Sequence, residues 1–167
     1  MDFRIAIVED NATARTALRG HLMSIANLSV SSFATGTELK AALKKQNFEL
    51  VLMDYHLGEG KTGVEWIQVL RESGFIRPST GIIFLTSDRA PQTIGRIMDL
   101  QPDVLLIKPY TIASLSRQIK HYLSYRSFVK NILHALDNKE LGRAIKLLRG
   151  KISDGIPPRL IADTRKL

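Results

Sequence analysis

Phe48–Asp54, FELVLMD, decides how this chain is read. Its centre, Leu50-Val51-Leu52-Met53, is apolar at every position and stops at a carboxylate. A short apolar run without alternation is a strand buried on both faces, as in a parallel sheet covered by helices. The same pattern recurs on either side. Phe3–Val8 is rich in Ile and Val and closes on Glu9-Asp10. Gly81–Leu85 closes on Thr86-Ser87, and Val104–Ile107 closes on Lys108-Pro109. Leu28–Phe33 alternates like a strand.

Helical segments fill the intervals. Asn11 is placed to cap a helix running to about Ala26, with Leu18 and Leu22 on its inner side. Thr37–Gln46 follows Gly36, and Val64–Glu72 keeps Trp66, Ile67, Val69 and Leu70 in one arc, so Trp66 reads as core. Ala90–Leu100 carries Pro91 in its first turn, and Thr111–Ser124 is long. This βα alternation over residues 1–124 predicts an α/β fold, a five-stranded doubly wound parallel sheet. In such sheets the ligand crevice lies beyond the carboxyl ends of the strands.

Composition narrows the class. Hydrophobic residues make up 44% and charged ones 24%, which is globular, and Cys is absent, which excludes disulfides and thiolate chemistry. No apolar run reaches the length of a membrane helix, and Met1–Asp10 lacks the layout of a signal peptide. A cytoplasmic protein is the expectation. The net charge of +8 is uneven: residues 1–124 carry +2 and residues 125–167 carry +6. Any question of nucleic acid therefore belongs to the tail.

The residues that close the strands carry the chemistry. With the first, third, fourth and fifth strands as neighbours, Glu9, Asp10, Asp54, Thr86 and Lys108 meet along one edge. Clustered carboxylates suit a hard divalent cation such as Mg²⁺. A lysine supplies a point charge for a phosphoryl group, a threonine supplies a hydroxyl donor, and a carboxylate can itself attack phosphorus.

Glu9-Asp10, Asp54, Thr86 and Lys108-Pro109 on a five-unit βα chain resemble the receiver domain of two-component response regulators, the CheY-like, flavodoxin-like fold, over residues 1–124. The resemblance implies that Asp54 is the phosphoacceptor and that Asp10 ligates Mg²⁺ directly, with Glu9 acting largely through water. It implies that His56 offers its backbone carbonyl to the metal, that Thr86 binds a phosphoryl oxygen and that Lys108 contacts the phosphoryl group. It also implies a cis peptide at Lys108–Pro109, and a sensor histidine kinase or phosphotransfer protein as donor. The chain departs from the family at Leu105, where the aromatic switch residue normally stands. Gly58 replaces a frequent Pro in a loop one residue longer than usual. The chemistry expected is self-phosphorylation and autodephosphorylation. Aspartate-dependent phosphatases resemble a pattern with a second Asp two residues past the nucleophile; His56 stands there, against turnover on external substrates.

Residues 125–167 form a basic tail. Phe128, Ile132, Leu133 and Leu136 make one apolar stripe, and Leu141, Ile145, Leu148 and Ile152 make another, opposite Lys139, Arg143, Lys146 and Arg149. With a bend at Asp137–Lys139, the expectation is an α-helical hairpin docked on the receiver, loosely similar to one tetratricopeptide repeat. Pro157-Pro158 opens a further helical stretch, Arg159–Leu167, as if the chain were the front of a longer protein. The reading is a response regulator that signals to a downstream protein through this extension. The alternative is a receiver controlling nucleic-acid binding by the basic tail, which lacks a recognition-helix layout. A homodimer through Ala90–Ser124 is open.

Overall fold

The computed structural model describes residues 3–25, 27–58 and 60–164. Its sheet contains β1 (Phe3–Val8), β2 (Leu28–Phe33), β3 (Leu50–Asp54), β4 (Gly81–Thr86) and β5 (Val104–Ile107). All pair in parallel, in the order β2-β1-β3-β4-β5. The helices α1 (Ala12–Met23), α2 (Gly36–Leu43), α3 (Gly63–Glu72), α4 (Pro91–Asp99) and α5 (Ile112–Phe128) follow the strands in turn. β3 and β4 are buried at every position, as their unbroken apolar sequence requires. Leu52, Ile67, Leu70, Ile82, Ile83 and Phe84 are fully buried at the centre. Each such side chain contributes about 1.5–3 kcal/mol by leaving water.

Local chemistry sets the helix ends. Asn11 caps α1 through its side-chain oxygen, which accepts from the Ala14 amide at 2.9 Å. Thr62 and Glu65 form a reciprocal capping box at the start of α3, and Pro91 opens α4 where its missing N–H costs nothing. Gly36 is required by packing, since any side chain there would run into the indole of the half-buried Trp66.

Several boundaries differ from the sequence expectation. β3 begins at Leu50 rather than Phe48, and Phe48 packs in the core ahead of it. α2 begins at Gly36 and ends at Leu43. α5 runs through Ser124 to Phe128, because no Gly or Pro interrupts the stretch and Tyr122 and Tyr125 are buried along it. The expected end of the first helix near Ala26, and the end of Arg159–Leu167 beyond Thr164, fall outside the described residues.

The chain forms two compact units, one up to Ser116 and one from Arg117 onward, with the division inside α5. In the second unit a break at Val129 is followed by α6 (Lys130–Asp137) and α7 (Leu141–Asp154). Lys139 turns between them with φ 59, at the expected bend. The segment closes with a 3₁₀ turn at Pro158–Leu160 and α8 (Ile161–Thr164). The core of this unit includes Val129, Ile132, Ala135, Ala144 and Leu160. The stripe expected to be covered on α7 is instead largely in solvent. Leu141, Ile145 and Ile152 are exposed, and the small Ala144 is the buried residue. Among the described residues no helix is long and apolar enough to cross a membrane.

Candidate functional site

The carboxyl ends of β1, β3, β4 and β5 bring the strand-closing residues together. Glu9 is the residue after β1, Asp54 ends β3, Thr86 ends β4 and Lys108 follows β5. The parallel register sets Asp54 beside Leu85 and Thr86 beside Ile107. Backbone bonds continue the ladder past the strand ends: the Tyr55 amide donates to the Leu85 carbonyl at 2.9 Å and the Lys108 amide to the Thr86 carbonyl at 2.7 Å.

Lys108 is the centre of the arrangement. Its Nζ donates to Glu9 Oε2 at 2.8 Å and to Asp54 Oδ2 at 2.7 Å. Both carboxylates are buried, Glu9 at 3% and Asp54 at 6% exposure. Asp10 is exposed, yet oxygen atoms of Glu9, Asp10 and Asp54 all lie within 4.8 Å of one another. Arg15 steadies the Glu9-Asp10 turn from α1, its Nη1 donating to the Glu9 carbonyl at 2.7 Å and the Asp10 carbonyl at 3.1 Å. No sequence signal announced Arg15.

One ammonium between two carboxylates has a clear electrostatic result. Burial pushes the Glu9 carboxyl above its ordinary range; Lys108 opposes this, and the nearby Asp54 charge reinforces it. Burial alone would depress Lys108, but its bonds to Asp54 and Glu9 outweigh burial and hold the ammonium above its ordinary value. The two directions are compatible. Lysine gains from two partners, while Glu9 also feels the Asp54 charge.

Thr86 is fully buried but bonds to none of these three side chains. Its Oγ1 accepts from the Asp88 amide at 3.0 Å, which leaves the hydroxyl's own proton to donate. His56 stands two residues past Asp54 with an exposed side chain, its Nε2 3.9 Å from Asp88 Oδ2. Asp88 lies below the ordinary carboxylate range because the Thr93 hydroxyl donates to it at 2.6 Å and the Ala90 amide at 2.8 Å. Burial raises the Tyr110 phenol. The Lys108–Pro109 peptide is cis. Leu105, with Arg89, Ile94 and Ile107, lines an open cleft of about 470 Å³.

Gly63 opens α3 and closes the loop that follows Asp54. Its amide donates to the Tyr55 carbonyl at 2.8 Å, and a side chain there would collide with the Asp54 carbonyl. The loop after Asp54 therefore closes against the backbone of Asp54 itself.

The hard oxygen donors of Glu9, Asp10 and Asp54 fit a divalent cation of the magnesium class. The buried ammonium and hydroxyl beside them fit an anionic oxygen group.

Residues 5–120 match the family model described as the response regulator receiver domain. The TorCAD operon transcriptional regulatory protein TorR of Escherichia coli K12 is 29% identical over 125 residues, 74% of this chain and 51% of that protein. The chain thus spans about half the length of this curated relative. Among solved structures, Vibrio cholerae chemotaxis protein CheY4 superposes with a TM-score of 0.64 at 22% identity, covering 72% of this chain and 98% of that one. A CheY-like receiver domain protein from Methanospirillum hungatei gives 0.66 at 24% identity, covering 76% and 98%. These likenesses bear on the fold.

Proposed function

Since this chain belongs to the response regulator receiver domain family, we propose that Asp54 accepts a phosphoryl group from a phosphohistidine of a sensor histidine kinase or phosphotransfer protein. Receivers of this family are signalling phosphoacceptors rather than enzymes of the usual kind, interact with histidine kinases and phosphotransfer proteins, and bind Mg²⁺ at an acidic pocket. The observation that carries the reading is the Lys108 ammonium bonded to both Glu9 and Asp54 at the strand ends.

In the step proposed, an Asp54 carboxylate oxygen forms the new bond to phosphorus while the phosphorus–nitrogen bond of the donor breaks. The imidazole leaves with the bonding pair and takes a proton. Lys108 holds Asp54 oriented beforehand and then serves the phosphoryl oxygens. The Thr86 proton is available to another of those oxygens. Asp10, Asp54, the His56 backbone carbonyl and, through water, Glu9 would hold Mg²⁺. Such an ion, when bound, neutralises charge that would repel an incoming phosphoryl dianion. The residues from 125 onward would carry the signal to a protein partner.

The test is intact mass after treatment with Mg²⁺ and acetyl phosphate. One phosphoryl group, labile to hydroxylamine and lost in Asp54→Asn, is expected. Label retained by Asp54→Asn at the wild-type level would remove Asp54 from the role.

A further inference from the structure

We propose that the exposed ridge of α7 formed by Leu141, Ile145 and Ile152 is a docking seam for an amphipathic partner helix with acidic flanks. The proposal rests on reading the helical extension as protein-binding and specifies the partner.

The ridge is unusual for this molecule. Leu141 is 64%, Ile145 52% and Ile152 56% exposed, and the other large exposed apolar side chains, Met23, Met98 and Ile112, stand on separate helices. Isolated exposed hydrophobics need no explanation, whereas a grouped row on one helix does. With Leu148, which is half-buried, the row follows the 4-3-4 spacing of a coiled-coil seam, with Leu and Ile alternating as at d and a.

The arc is narrow. At 3.6 residues per turn, Leu141, Ile152 and Ile145 fall within about 40° of one another. On one border the helix is committed to its own unit, through buried Ala144 and through Lys151, whose Nζ lies 4.5 Å from the Phe128 ring centroid. That border keeps the helix from sinking its apolar face into a membrane, for which a wider apolar sector is usual. What remains is a strip about one helix wide.

Charge selects the occupant. Beyond Ile145 the next charged side chains around the helix are Arg149, bordering the ridge, and then Lys146 past Ser153, both exposed and without an ion-pair partner among the described residues. Arg143, further round, is already paired with Glu140 at 2.8 Å. Asp154, the single acidic residue of α7, lies near the opposite side of the helix. A second copy of this chain would bring like charges together at the seam. Nucleic acid would use the cations but leave the Leu and Ile ridge without a role. A helix with apolar residues in heptad spacing and Glu or Asp beside them satisfies both features.

The experiment uses the full chain and two fluorescent heptad peptides with Ile at a and Leu at d. One carries Glu at e and g, the other Lys. In fluorescence anisotropy at low salt the Glu peptide is expected to bind at least tenfold tighter than the Lys peptide. Ile145→Asp should weaken it tenfold or more. Lys146→Glu with Arg149→Glu, which leaves the apolar ridge intact, should invert the preference. Equal binding of the two peptides, no binding of the Glu peptide, or indifference to both variants overturns the proposal. So does concentration-dependent self-association that Ile145→Asp abolishes. Tighter binding to phosphatidylserine vesicles or to duplex DNA than to the Glu peptide would overturn both the seam and the protein-binding reading. Acetyl phosphate labelling of the same variants is read separately. Failed labelling with intact peptide binding would count against the Asp54 chemistry alone.

Discussion

Replacing Lys108 with Met keeps a linear side chain of similar length and removes the ammonium that Glu9 and Asp54 share. Both carboxylates are buried, so neither can recover its lost partner from bulk water. Removing one member of a buried ion pair typically costs 3–5 kcal/mol; Lys108 is 26% exposed, so the low end, about 3 kcal/mol at pH 8, is expected. The deficit should depend on pH with a definite sign. In the wild type, Lys108 stands above its ordinary value, so its contribution is complete below the ordinary lysine range and is lost as pH rises through the raised value. Glu9 also stands above its ordinary value, so the folded state holds a proton that the unfolded chain releases. Its contribution is therefore largest below the ordinary glutamate range and fades as pH rises through the raised value. Without Lys108, which opposes the rise, the Glu9 carboxyl should keep its proton to still higher pH. If the Glu9 pKa rises by about one unit, about 1.4 kcal/mol is recovered on acidification. Urea unfolding at pH 8 and pH 5 reads this directly. With a slope of about 1.5 kcal/mol per molar, the pH 8 midpoint should fall by about 2 M, and by clearly less at pH 5. A deficit that is small at pH 8, or identical at both pH values, would refute Lys108 as the shared counter-charge.

Three other perturbations probe separate features. Gly63→Ala should cost about 1–3 kcal/mol in urea unfolding, because the new methyl meets the Asp54 backbone carbonyl as well as the Met53 side chain; it should also slow acetyl phosphate labelling, and unchanged stability would show that the loop yields freely. Thr93→Val removes the leading cause of the low Asp88 pKa, so the Asp88 carboxyl should titrate at higher pH by carbon-detected NMR, and an unmoved titration would mean the amide of Ala90 suffices. Gly150→Ala, in the exposed interior of α7 with open space around the site, should stabilise by about 0.5–1 kcal/mol in thermal unfolding, and a lower Tm would contradict the assigned helix.

The sheet was legible because its strands are short apolar runs with polar ends, a pattern that survives without knowledge of tertiary contacts. Parallel pairing then dictated that Glu9, Asp54 and Lys108 would converge, and they do. What periodicity could not settle was which flank of an amphipathic helix faces inward. On α7 the Leu and Ile row suggested the buried side, but Ala144 is the residue that allows close helix packing and the larger side chains stand outside. The position of Thr86 was legible and its hydrogen bond was not, since the Asp88 amide that occupies its oxygen depends on the turn after β4. Gly63 illustrates the same limit. A glycine in a polar loop signals a turn, whereas the collision that fixes its identity exists only once the loop has folded onto Asp54.

A parallel sheet of five strands leaves two lateral rims where unpaired amides could recruit a foreign chain, and each rim here is closed to growth by different means. β2 places Ser29, Ser31 and Ser32 among its six residues, too polar a surface to reward accretion. β5 has only four residues. At one end the Asp103 carboxylate takes the Ile82 amide at 2.8 Å. At the other, Lys108 is followed by Pro109, a residue with no N–H to extend a ladder. The dipeptide that brings the ammonium to Glu9 and Asp54 thus also denies this edge strand an amide just past its end.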